Sequence, residues 1–175
     1  MRKLLCACIG VVAALASGPF SSFAASTTTN LPVSATLVAG CAVSATGINF
    51  GSVPSGATIQ QQDATGIVTV TCGLGAPYTV YMGAGTAAAI PTRGMRSVSN
   101  PNGVTMRYNL YQDSSHLVIW GDAGGGDTFP AGTGLQLFGS GQADNLTVYG
   151  RILQDTTPPT VTGDYTDTVL VTLVF

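Results

Sequence analysis

The chain has 175 residues, 45% hydrophobic and only 8% charged, with a formal net charge of −2. So few cations give no basic stripe to track a phosphate backbone, which excludes nucleic acid as an expected partner. The length matches one domain able to bury a core, and a single domain is expected.

In chain order, "MRKLLCACIGVVAALASGPFSSFAA" carries the marks of a secretory signal. Arg2 and Lys3 are its basic start, Leu4 to Ala16 its apolar run, and Ser22-Phe23-Ala24 its cleavage site, so 1–24 is expected to be removed. Gly18 and Pro19 break the run short of the roughly 20 residues that cross a bilayer, so no membrane span remains after cleavage. Too little apolar sequence precedes Cys6 or Cys8 for either to be a lipidation site. Beyond the signal the cations are Arg93, Arg96, Arg107 and Arg151, against eight Asp, with no Lys and no Glu. Two strong helix formers are thus missing while Thr, Val and Gly abound, which predicts an all-β fold.

The segment "LPVSATL" at 31–37 alternates as a strand does, with Leu31, Val33, Ala35 and Leu37 on one face and Pro32, Ser34 and Thr36 on the other. Cys41 and Cys72 are the only cysteines after the signal, and export to an oxidising space predicts that they bond. On the chain-entropy estimate this bond stabilises the fold by about 3–4 kcal/mol. Strands are predicted at 42–50, 66–72, 78–82, 104–111, 117–120, 135–138, 146–153 and 168–175. Turn-rich stretches separate them, including "NPNG" at 100–103, "GDAGGGD" at 121–127 and "TTPPTVTGD" at 156–164. Residues 83–95 read as loop. The closing "DTVLVTLVF" is apolar on both faces, with Val169, Val171, Leu173 and Phe175 alternating against Thr168, Leu170, Thr172 and Val174. Such a strand normally lies inside a sheet with a neighbour on each side.

Other candidate sites have plainer readings. His116 in "DSSHLVIW" has no nucleophile beside it and reads as a loop or strand-end residue rather than a general base. Asp122 and Asp127 faintly resemble a calcium loop but lack the repeats and carboxylates one needs, so neither metal nor cofactor is expected. Asn145-Leu146-Thr147 matches a glycosylation acceptor. Trp120, Tyr108 and Tyr111 could stack a sugar, though aromatics in such strands usually fill the core. Tyr165 is expected to pack under a sheet corner with its hydroxyl bonded locally, while Asp164 and Asp167 shape the turn.

"CAVSATGINFG" (41–51), "VTVTC" (68–72), "YNLYQD" (108–113), "WGD" (120–122), "TVYGRI" (147–152) and "GDYTDTVLVTLVF" (163–175) together resemble the spore coat protein U domain. That domain is also the building block of archaic, Csu-type chaperone-usher pili. The resemblance covers nearly all of the chain after the signal, in the family's order. It implies an incomplete immunoglobulin-like β-sandwich at 41–175, completed by a donated strand, with a hydrophobic groove beside the C-terminal strand of Val169, Val171, Leu173 and Phe175. It also implies a donor segment at 25–40 that enters a neighbouring subunit's groove through Leu31, Val33, Ala35 and Leu37. Pro32, which has no N–H to give, is expected near the end of the inserted strand.

The implied partners are a periplasmic chaperone, an outer-membrane usher and neighbouring subunits. The implied role is a secreted, non-enzymatic pilus subunit at the cell surface that supports adhesion and biofilm formation. The alternatives are an adhesive module at a fibre tip and a self-complemented coat protein.

Overall fold

Alternating Val and Thr in "GIVTVTC" give β2 (Gln62–Cys72) one apolar face, and that face anchors the core. The structure is a computed structural model that describes residues 26–38, 40–87, 92–122 and 134–175. The chain divides into a unit ending at Thr36 and a second unit of Leu37–Phe175. The signal at 1–24 and most of the "GDAGGGD" loop, with Asp127, lie outside the described residues.

Among the described residues of the second unit nine strands form, and every pairing is antiparallel. The strands other than β2 are β1 (Cys41–Ala45), β3 (Pro77–Met82), β4 (Arg93–Ser97), β5 (Met106–Tyr111), β6 (Leu135–Phe138), β7 (Ala143–Ile152), β8 (Tyr165–Thr166) and β9 (Val171–Val174). A six-stranded sheet runs in the order β1-β2-β7-β5-β4-β8, and a three-stranded sheet in the order β6-β3-β9. The core lies between them. Val68, Val70, Tyr108, Leu110, Val148 and Ile152 come from the large sheet, and Tyr78, Val80 and Met82 from the small one. Trp120 is wholly buried, and its indole Nε1 donates to the Tyr111 carbonyl at 2.9 Å. The all-β expectation holds, since none of the described residues is helical.

The structure departs from the predicted elements in several places. The strand expected at 42–50 ends at Ala45, because at Thr46 the ladder gives way to a side chain: the Ile67 N–H donates to the Thr46 hydroxyl at 2.9 Å rather than to its carbonyl. The stretch read as loop before residue 95 contains the start of β4, whose sequence "RGMRS" has no apolar alternation to betray it. The predicted 117–120 strand is a single bridge, Ile119 to Tyr111. The 168–175 strand begins only at Val171, because the chain changes sheets just before it: β8 pairs with β4 of the large sheet and β9 with β3 of the small one. Residues 26–38, which include the alternating segment, have no regular secondary structure and are exposed. A strand without a ladder is not stable alone in water.

Candidate interaction groove

Among the described residues β1 and β8 end the large sheet and β6 and β9 the small one, and β1 and β9 flank an opening. Both are incompletely covered. Ala42 to Ala45 are exposed, and Val171 and Leu173 are only half-buried although they pack on the core. A cavity of about 430 Å³ opens where the chain leaves β1 and where it enters β9. One wall is 45–48 with Phe50, the other is 165–169 with Val171, and the floor includes Val68, Leu110, Val148 and Met82. A second cavity of about 500 Å³ continues from it, walled by 48–55 and 161–166 and floored by Ile59, Met106 and Ile152. The walls therefore run antiparallel along one elongated groove floored by core side chains.

The chain narrows this groove itself. After Thr46 it crosses the inner face of the large sheet and inserts Ile48 and Phe50 over two glycines. A Cβ added at Gly66 of β2 would stand 2.6 Å from Ile48 Cγ1, and one at Gly150 of β7 would stand 2.9 Å from Phe50 Cζ. A glycine inside a central strand often marks such a close approach. The Phe50 ring meets Tyr108 edge-on at 6.1 Å, and its carbonyl accepts from the Gln62 side chain.

Asp167 pins the wall that leads into β9. Its Oδ2 accepts from the Tyr108 hydroxyl at 2.7 Å, and its Oδ1 accepts from Thr86 N, Thr86 Oγ1 and Thr168 N, each at 2.8 Å. Burial, reinforced by the Asp167 carboxylate, pushes the Tyr108 phenol far above its ordinary value. Asp167 fits because Gly85, at φ +86°, leaves room for it: a Cβ there would lie 2.1 Å from Oδ2. Behind it the fully buried Arg93 donates to the carbonyls of Gly83 (2.9 Å), Met82 (2.7 Å) and Trp120 (2.9 Å). Burial pulls this guanidinium down to about 10, which leaves it charged at neutral pH.

Cys41 and Cys72 form the predicted disulfide, with S–S 2.03 Å, across paired positions of β1 and β2. Val169 and Val171 line the groove, Leu173 packs on the core, and Phe175 is exposed. Leu31, Val33 and Leu37 are 84%, 87% and 99% exposed, and Ala35 and Pro32 are exposed as well. Trp120, Tyr108 and Tyr111 are core residues and offer no stacking surface. His116 sits on a loop at φ 57°, edge-on to Tyr111 and 3.8 Å from Asp63. Asp122 is half-buried; the exposed Asn145 accepts from Thr69 Oγ1 at 2.8 Å. Tyr165 donates to the Val161 carbonyl at 2.6 Å, as the turn reading expected. Sequence reasoning missed Ile48, Phe50 and their glycines; isolated glycines within the Val- and Thr-rich runs of β2 and β7 were the available signal.

The model of the spore coat protein U domain matches residues 27–172. The chain belongs to this family. A spore coat U relative, "Protein U" of Myxococcus xanthus, is 32% identical over 190 residues, covering all of both chains. The fold is similar to a chain in the crystal structure of the CsuC-CsuE chaperone-tip adhesion subunit pre-assembly complex, from archaic chaperone-usher Csu pili of Acinetobacter baumannii. The TM-score is 0.55 at 21% identity, over 80% of the present chain and 40% of that one. This spore coat U chain thus spans less than half the length of the protein whose fold it shares. Among its described residues no helix is long and apolar enough to cross a membrane.

Proposed function

We propose that this spore coat U chain is a structural subunit of a chaperone-usher surface pilus, polymerised by donor-strand exchange. The observation that carries the reading is the groove, an opening floored by core side chains where the chain leaves β1 and enters β9, in a chain that also exposes a strand-patterned apolar segment. A strand laid along β9 would gain backbone hydrogen bonds, bury alternate side chains and cover an edge that otherwise invites aggregation. Leu31, Val33 and Leu37 would each contribute about 1.5–3 kcal/mol if fully buried, and Ala35 less.

On this reading residues 1–24 direct export and 25–40 form the donor segment. A periplasmic chaperone fills the groove of 41–175 until an outer-membrane usher exchanges it for the next subunit. The product is a fibre at the cell surface that supports adhesion and biofilm formation, and the subunit itself is not an enzyme. The family's description favours a second reading, a coat protein without pili.

Expression of the full precursor with its chaperone, followed by unboiled gels, separates the two readings. A ladder of heat-sensitive multimers is expected, and it should collapse to monomer in Val33→Asp, which would place a charge in an apolar groove. Monomer alone in the unmutated protein would defeat the pilus reading and favour the coat.

A further inference from the structure

Ile48, Phe50, Met95, Tyr165 and Thr166 line both cavities, so the groove has a step in its middle. Ile48 and Phe50 occupy the space that Gly66 and Gly150 leave open, so close that a Cβ at either glycine would clash with them. The cavities on either side are roomier. The donor segment has a matching profile: Leu31, Val33 and Leu37 are bulky, and Ala35 is the one small residue on that face.

We propose that Ala35 of an incoming second copy seats over Ile48 and Phe50, and that this contact sets the register of the inserted strand. The inference rests on the donor-strand reading above. Side chains two apart on a strand are separated by about 6.4–6.8 Å, so Val33 and Leu37 then fall into the cavities on opposite sides of the step. Pro32 lies outside the Val33–Leu37 core, near the strand's end, where a missing N–H interrupts the ladder least.

The test compares multimer ladders of full-length variants made with the chaperone. Ala35→Leu should lower the multimer fraction about tenfold, and Ile48→Ala in the same chain should restore it to within about twofold, because overpacking is relieved when the opposing side chain shrinks. Val33→Leu, which enters a cavity, should polymerise normally. Should Ile48→Ala impair folding, paired cysteines give an independent reading: A35C with I48C should yield reducible intersubunit dimers, and V33C with I48C should not.

Normal polymerisation of Ala35→Leu, no rescue by a folded Ile48→Ala chain, or crosslinking from position 33 instead of 35 would each overturn the register. A ladder with the wrong register leaves donor-strand exchange intact. Absence of any ladder in the unmutated chain overturns both.

Discussion

Arg93 shows how a charged residue can be a core residue. Its guanidinium ties three carbonyls from two loops and the end of β3, so truncation would strand the buried acceptors of Met82 and Trp120 as well as the half-buried one of Gly83. Each stranded group costs about 1–3 kcal/mol, so Arg93→Met should lower the urea midpoint sharply. Arg93→Lys should rescue little, since a single ammonium cannot reproduce a planar fork of donors.

Asp155 makes a pH prediction. The Thr157 backbone N–H, assisted by Arg107, holds its carboxyl below the ordinary range. The folded state therefore binds that proton less readily than the unfolded state does. Its stabilisation is complete above the unfolded value of about 3.9 and is lost as pH falls through the lower folded value. Asp155→Asn should flatten that part of an acid-unfolding curve followed by urea midpoints. The role of Arg93 was not legible in the sequence, because an arginine in "PTRGMRS" carries no mark of burial. The cysteine pair was legible, because export and count sufficed.

Among the elements, those with strict alternation were readable and those defined by tertiary context were not. β2, β3, β6 and β7 announce themselves by Val, Leu, Tyr and Thr at period two. β4 forms because β5 and β8 flank it and Arg93 anchors it, information that lies far away in sequence. The inward turn after Ala45 was missed because "TGINF" keeps an apolar alternation while leaving the sheet edge. Gly66→Val tests that account: it should displace Ile48 and destabilise the domain by about 1–3 kcal/mol, measured by denaturant unfolding. The groove's β9 wall was legible as a strand apolar on both faces, but the sheet switch at Asp167 depends on Tyr108 and Thr86, distant partners that no local pattern reveals.

At the scale of the whole molecule, Trp120 is the only tryptophan and is fully buried, so its fluorescence should report cooperative unfolding of the unit from Leu37 onward. Breaking the Cys41–Cys72 bond with a Cys→Ser pair should cost about 3–4 kcal/mol in that assay and lower the yield of folded protein. The position of the bond has a mechanical consequence. In the fibre proposed above, tension would enter each copy through the residues preceding Cys41 and would tend to unzip β1 from β2 one rung at a time. The covalent link lies at the first rung, where Cys41 faces Cys72. The load would therefore reach β2 through the covalent bond and bypass the β1–β2 ladder.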